Sequence, residues 1–280
     1  MSAPKLPPEP DYGYVVERIT RFIREAVERS GVRGIVLGLS GGVDSATTAA
    51  LCVKALGPEK VEALILPDSE TTPGEDVEDA EALADQLRLT RHTVDIHGIY
   101  EAYRGTLPFH DPEANVANGN LRARIRMSIL YYYANLKGLL VCGTGDKSEL
   151  LLGYYTKYGD GGVDILPIAD LYKTQVRKLA VRLGIPEKIA LKPSSPRLWP
   201  GQMAEKELGV SYEVIDPVLY LYVEKGRSPG EIVEETGVSR ETVEAILRRV
   251  HGSEHKRMTP PIARVSPHTV GHDWRLPWNP

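Results

Sequence analysis

Cysteine is scarce in this 280-residue chain, which has two, Cys52 and Cys142. Both fall in apolar runs rather than at metal-ligand spacing, so they read as buried free thiols and not as a disulfide or a metal pair. No stretch approaches the roughly 18 consecutive apolar residues of a membrane span. The N-terminus, Met-Ser-Ala-Pro-Lys-Leu-Pro-Pro-Glu-Pro, has no apolar signal-peptide core. The chain therefore reads as cytoplasmic, with no membrane partner. Basic excess is missing as well. A formal net charge of -4 and a pI near 6.0 argue against a general nucleic-acid binder. Internal repeats and low-complexity linkers are also lacking. What is present, 42% hydrophobic and 26% charged residues, supplies enough apolar material for a sizeable core.

The most informative stretch is residues 35–45, Ile-Val-Leu-Gly-Leu-Ser-Gly-Gly-Val-Asp-Ser. The apolar run 34–39 has the length of a buried parallel strand. Ser40-Gly41-Gly42 follows at once, and Asp44-Ser45 open an Ala-rich helical stretch that reaches Leu56. Strand, glycine turn and helix in that order aim free backbone N–H groups at one point, where the helix dipole also favours negative charge. Glycine lets the backbone approach a phosphate closely. Two familiar signatures are absent: no Lys-Ser or Lys-Thr follows the glycines, as a Walker loop requires, and the Gly-x-Gly-x-x-Gly spacing of a dinucleotide site does not occur here.

Residues 1–10 read as a flexible proline-rich arm, extended or disordered, ahead of a single domain over 11–280. Tyr14, Val15, Ile19, Phe22, Ile23, Ala26 and Val27 recur at helical spacing, which predicts an amphipathic helix over 12–29. Residues 61–66 read as a second buried strand, 76–89 as a helix and 91–96 as a third strand. This order implies an α/β fold, a parallel β-sheet flanked by helices with right-handed crossovers. Ligands bind beyond the carboxyl ends of such strands, so Ser40 and Pro67-Asp68 are expected to face one cleft.

A long helix is expected over 115–137, on which Arg122, Arg124 and Arg126 alternate and cannot share one face. Residues 139–142 form a short buried strand ending in Gly143-Thr144-Gly145. A helix starts at 146–149, where Glu149 either caps it or reaches into the cleft with Asp44. Residues 153–164 and 192–202 are irregular, and long loops inside a compact domain are commonly functional. A helix runs from 171 to near 184, a helical C-terminal part spans about 211–252, and a Pro-rich tail covers 258–280.

Ser-Gly-Gly-Val-Asp-Ser at 40–45 resembles the pyrophosphate loop of the N-type ATP pyrophosphatases, which cleave ATP to AMP and pyrophosphate. Alone, the loop equally suits a GMP synthetase or a tRNA-modifying enzyme. Segments around 122–127, 143–178 and 254–257 resemble NAD synthetase, and the likeness runs from about Val15 to the tail. Its most specific part is Gly-Tyr-Tyr-Thr-Lys-Tyr-Gly-Asp-Gly-Gly-Val-Asp-Ile-Leu-Pro-Ile, followed by Asp-Leu-Tyr-Lys-Thr-Gln-Val-Arg.

The resemblance implies a Rossmann-like fold and the ATP-dependent amidation of deamido-NAD to NAD by ammonia, the last step of NAD biosynthesis. The enzyme is then a ligase that forms a C–N bond and needs Mg²⁺, with ATP as co-substrate. Matched by motif, Gly38, Leu39, Ser40, Gly41, Gly42, Val43, Asp44 and Ser45 bind the ATP phosphates, and Thr144, Lys173 and Ser195 also contact ATP. Ser195 stands where many relatives have Thr, and the hydroxyl is kept. Asp44 and Glu149 match the Mg²⁺ ligands, carboxylates that suit a hard ion. Arg124, Lys157, Asp164, His255 and Lys256 match deamido-NAD contacts, and Asp44, Lys173 and Asp164 are the implied catalytic set. Read without the resemblance, His255-Lys256 is a solvated charge run, and Asp160 and Asp164 form turns.

Loops near 153–164 and 192–207 are expected to close over the substrates and keep water from an acyl-adenylate. The family is typically homodimeric, and Tyr131-Tyr132-Tyr133 suits either that interface or the core. About 30 residues precede the first strand, too few for the glutaminase domain of many NAD synthetases. Free ammonia is thus the expected nitrogen source, unless a separate glutaminase subunit delivers it. Residues 228–251 carry a helix-turn-helix pattern, with Gly237 in the turn and Ser239 capping the second helix. Glu241 and Glu244 at the start of that helix would repel phosphates, so no nucleic-acid partner is expected. Another adenylating amidotransferase of the same superfamily is the remaining rival.

Overall fold

The computed structural model describes residues 7–271, 273 and 274. Part of the expected arm (1–6) and part of the tail (272, 275–280) lie outside the described residues. Helix α1 (Tyr12–Ser30) begins where the Asp11 carboxylate accepts the Gly13 and Tyr14 amides, and it ends at Gly31 in the left-handed region, φ 64°. There follow β1 (Gly34–Gly38), α2 (Val43–Leu56), β2 (Val61–Ile65), α3 (Gly74–Gln86), β3 (Thr90–Thr93), α4 (His97–Thr106), α5 (Asn115–Lys137) and β4 (Leu139–Cys142). The second half is helical: α6 (Lys147–Leu152), α7 (Lys173–Arg182), α8 (Glu187–Ala190), α9 (Ala204–Leu208), α10 (Tyr212–Val223), α11 (Pro229–Thr236), α12 (Arg240–Gly252) and α13 (Glu254–Arg257).

The four strands form one parallel sheet in the order β3-β2-β1-β4. Alternation along β1 divides the core. Ile35 and Leu37 join the cluster beneath α1, α2 and α7, whereas Val36 joins the cluster beneath α4 and α5. A third cluster gathers α6, α10, α11 and α12. Cys52 and Cys142 are buried free thiols, as expected, with their sulfurs 3.8 Å apart. Among the described residues no helix is long and apolar enough to cross a bilayer.

The third strand stops at Thr93 instead of reaching Ile96, and α4 was not foreseen. The cause is local: the Asp95 carboxylate accepts the amides of Ser69 and His97, which turns the chain into α4. β3 is also an edge strand and mostly exposed, so its apolar pattern is weak. The arm is extended where described. Gln175 Nε2 donates to Pro8 O at 3.0 Å and Lys178 Nζ lies 2.6 Å from Glu9, laying the arm along α7. The helix-turn-helix pattern is real as geometry, with Gly237 at φ 71° between α11 and α12. Its apolar side, including Ile232, Val243 and Ile246, is buried in the third cluster.

Helix α7 must pack tightly, because Leu179 is fully buried whereas Val181 is 44% exposed. Leu179→Ala should cost about 2–5 kcal/mol in urea unfolding. Val181→Ala should stay within about 0.5 kcal/mol of the parent.

Candidate active site

The chain leaves β1 at Gly38 and enters α2 at Val43 through a tight turn. Gly41 sits at φ 75°, and a Cβ there would lie 2.3 Å from the Asp76 carbonyl oxygen, so conformation and space both demand glycine. The Ser40 amide donates to Ser45 Oγ at 3.2 Å, and that hydroxyl donates to Gly42 O at 3.0 Å, folding the turn onto the helix start. Among the described residues no protein acceptor takes the amide hydrogens of Gly41, Val43, Asp44 or Ser45. These are the orphan donors of a helix N-terminus, gathered for an anion.

Beside the turn lies Lys173, the first residue of α7, fully buried. Its Nζ is 2.6 Å from Asp44 Oδ2, 2.8 Å from Glu149 Oε1 and 2.9 Å from Asp146 Oδ2. Asp146 is the N-cap of α6 and accepts the Glu149 amide at 2.8 Å, while Glu149 accepts the Asp146 amide at 3.4 Å. Glu149 therefore does both things foreseen for it, capping α6 and reaching the cleft. From the sequence alone Asp146 is only a helix start. The Asp-x-x-Glu capping box directly after a strand's carboxyl end was the available signal.

The protonation of this cluster follows from burial and crowding. Burial alone would lower the Lys173 ammonium, but Asp146, Asp44 and Glu149 outweigh it and hold it well above its ordinary value. Burial pushes Asp146 up to about 6, with Lys173 opposing and Asp44 adding. Burial also pushes Glu149 well above the usual carboxylate range, again against Lys173 and with Asp146 and Asp44 adding. One ammonium cannot neutralise three carboxylates. Asp44 Oδ1 is in addition buried without a hydrogen-bond partner. Oxygens of Asp44, Asp146 and Glu149 lie within 4.8 Å of one another. An all-carboxylate set with an orphaned buried oxygen fits a hard divalent cation.

Asp44 and Glu149 open on a cavity of about 410 Å³ beyond the carboxyl ends of β1, β2 and β4, walled by α5. Pro67 lines it with Ser40, but Asp68 does not, contrary to expectation. The Asp68 carboxylate is fully buried and turns instead to Arg122 Nε at 2.5 Å and His97 Nδ1 at 3.0 Å. Asp68, Glu70 and His97 approach one another too, but Arg122 already bridges both acids.

The three arginines of α5 diverge as predicted. Arg122 is buried against Tyr100 and Arg124 is exposed. Arg126, missed as a site residue, lines the cavity, donates from Nε to Leu66 O at 2.8 Å and is lowered to about 10 by burial. The two irregular stretches supply further walls. Lys192 reaches Asp76 and Asp79 at 2.8 and 2.6 Å, and Arg197 reaches Asp76 at 2.7 Å. Lys256 Nζ donates to the carbonyls of Gly153 and Tyr155 at 2.7 and 2.6 Å.

The expected ATP-phosphate residues from Gly38 to Ser45, Gly41 apart, line the cavity, as do Thr144, Glu149, Ser195 and Lys256. Lys173 stands behind it, enclosed by carboxylates. Ser195 Oγ donates within its own loop, to Gln202 O at 2.6 Å. Arg124, Lys157 and His255 are not cavity walls but form a linked rim. Arg124 Nη2 donates to Lys157 O at 3.3 Å, and Lys157 Nζ donates to His255 O at 2.7 Å. Asp164 is not a local turn former: its carboxylate accepts the Val141 amide at 2.8 Å and the Tyr131 hydroxyl at 2.9 Å, bracing the loop to β4 and α5. Asp160 does form a turn, accepting the Thr156 amide at 2.8 Å. Tyr131 and Tyr133 are thus hydrogen-bonded, Tyr133 to Glu62 and His92, while Tyr132 is 71% exposed.

Comparison with known proteins agrees with this geometry. The chain is 54% identical over 266 residues to the NH(3)-dependent NAD(+) synthetase of Hyperthermus butylicus, covering 95% of this chain and 94% of that one. The NMN synthetase of Francisella tularensis superposes with a TM-score of 0.80 at 34% identity, over 91% of this chain and 99% of that one. The NH3-dependent NAD synthetase of Campylobacter jejuni gives 0.77 at 35% identity, over 91% and 100%. A glycine turn set against a buried lysine–carboxylate cluster thus sits in a chain whose residues 15–260 match NAD synthase, and the protein belongs to the NAD synthase family.

Proposed function

We propose that the chain is an ammonia-dependent NAD synthetase that uses ATP to amidate deamido-NAD. One observation carries the reading: Val43, Asp44 and Ser45, whose amides are unpaired, line a single cavity with Glu149, and the buried Asp146 stands directly behind Asp44 and Glu149. The amides of Gly41, Val43, Asp44 and Ser45 hold the triphosphate and stabilise the departing pyrophosphate, already oriented before reaction. Asp44, Asp146 and Glu149 hold Mg²⁺, and Lys173 keeps three carboxylates compatible with a nearby triphosphate. When bound, that ion withdraws charge from the phosphate oxygens. Arg126 adds a fixed positive charge to the same cavity wall.

In the first step a nicotinate carboxylate oxygen attacks the α-phosphorus, and the bond to the β-phosphate oxygen breaks with its electron pair leaving on pyrophosphate. In the second, the ammonia lone pair attacks the acyl carbon. AMP departs with the C–O electron pair, and the nitrogen sheds a proton. Arg124, Lys157, Asp164, His255 and Lys256 receive deamido-NAD at the rim, where Lys256 also lines the cavity. Ammonia as donor is supported by the NH(3)-dependent relatives. A homodimer is supported by the exposed apolar groups Ile99, Tyr103, Tyr132 and Leu136 on α4 and α5.

With ATP, Mg²⁺ and deamido-NAD, the purified chain should form NAD and AMP with ammonium and not with glutamine. Turnover of nicotinate mononucleotide, with none of deamido-NAD, would overturn the substrate assignment. Lys173→Met should lower kcat/KM by about 10²–10³-fold, the scale of a lost charge-stabilising donor. It should also cost about 3–5 kcal/mol of stability by stranding buried carboxylates, part of which Mg²⁺ restores in a thermal melt. Light scattering should give a dimer mass, and Tyr132→Asp combined with Leu136→Asp should give a monomer; a monomeric parent would refute the dimer.

A further inference from the structure

Asp216 on α10 is fully buried. A buried carboxylate is costly unless its oxygens are satisfied. Lys173 does not satisfy it, because that ammonium is spent on Asp44, Asp146 and Glu149. Asp216 Oδ1 instead accepts the Ser148 hydroxyl at 2.6 Å, and Oδ2 accepts the Thr174 amide at 2.8 Å. Ser148 Oγ in turn accepts the Lys173 amide at 3.0 Å.

These bonds cap α7 from outside. Its N-cap residue is Tyr172, yet the amides that open the helix, Lys173 and Thr174, are taken by Ser148 on α6 and Asp216 on α10. An anion at a helix N-terminus is favourable, and orphan amides there need acceptors. The same Ser148 sits between Asp146 and Glu149 along α6. A second bond between the two helix starts, the Lys147 amide to Leu171 O at 2.9 Å, runs parallel.

We propose that Asp216 and Ser148 are positioning residues: they lock the N-terminus of α6 to that of α7 and so set the distances from the Lys173 ammonium to Asp146 and Glu149. Neither residue lines the cavity, and the pair's role rests on the functional reading above. An error of about an ångström in such a constellation is enough to cost on the order of 10²-fold in rate.

The test uses Asp216→Asn, Ser148→Ala and Ser148→Thr in the full chain. Asn keeps an acceptor for Thr174 but offers an N–H to a Ser148 that already accepts from Lys173. Asp216→Asn should lower kcat by about 10²-fold, with KM for deamido-NAD and for ammonia moving less than about twofold. Ser148→Ala should do the same, Ser148→Thr should restore most of the rate, and the double variant should be no worse than either single one. MgATP affinity, measured by titration without turnover, should fall about 10–100-fold, the scale seen when groups behind a metal ligand are lost. Should Asp216→Asn fail to fold, Ser148→Ala carries the test, since it removes one hydroxyl. Parental kcat and MgATP affinity in the folded variants, or losses that multiply in the double variant, would overturn the proposal. An inactive parent enzyme would strike the functional reading alone, because MgATP affinity still tests the lock.

Discussion

The site depends on one ammonium ion. Lys173 holds three carboxylates within 2.9 Å, and the ammonium itself and Asp146 are fully buried. Without that charge, Asp44, Asp146 and Glu149 would repel one another and any triphosphate brought to the adjacent amides. With it, they share one buried cluster in which Asp44 Oδ1 is left without a hydrogen-bond partner. The lysine opens a helix, where the dipole disfavours a cation. Its position is therefore enforced by its partners, not by α7. Tyr212, fully buried, adds a ring 5.4 Å from the ammonium and closes the remaining side.

Sheet order makes this cluster reachable. β1 lies between β2 and β4, so the turn after β1 and the turn after β4 emerge side by side. Asp44 comes from the first turn, and Asp146 and Glu149 from the second. This is the switch point of an open parallel sheet, where the connections diverge and leave a crevice. Distant stretches of sequence meet there because hydrogen-bonded strands place their ends together.

What could be read beforehand follows from the range of the interactions. The strand–glycine turn–helix unit at 34–56 was legible because its requirements are local: a buried strand, a glycine with positive φ, and a helix start within a few residues. The long helix over 115–137 was legible in its bounds for the same reason. Asp68 was misread because its fate is decided by Arg122, 54 residues away. Asp146 was passed over because a cap explains it fully at short range, and only the fold brings Lys173 to it. Asp164 matched a motif, yet its bonds to Val141 and Tyr131 depend on how the loop returns to the sheet. α4 escaped because Asp95, a side chain capturing two amides, turns the chain where apolar periodicity suggested a continuing strand.

The cavity and the rim are joined more closely than the sequence motifs suggest. Asp76 occupies with its carbonyl the space that a Gly41 side chain would need, and its carboxylate holds Lys192 and Arg197. One residue thus supports the phosphate turn and anchors the loop over it. At the other end, Lys256 lines the cavity while its neighbour His255 accepts Lys157 on the rim. In the proposed reaction ATP fills the cavity and deamido-NAD approaches across the rim. The carboxylate and the α-phosphate must then meet near Lys256, the one residue of the expected deamido-NAD set that lines the cavity. Its side chain is held by two backbone carbonyls of the 153–162 loop, and burial lowers its ammonium. The 153–162 loop and Lys256, which both line the cavity, are therefore fixed by the same pair of hydrogen bonds.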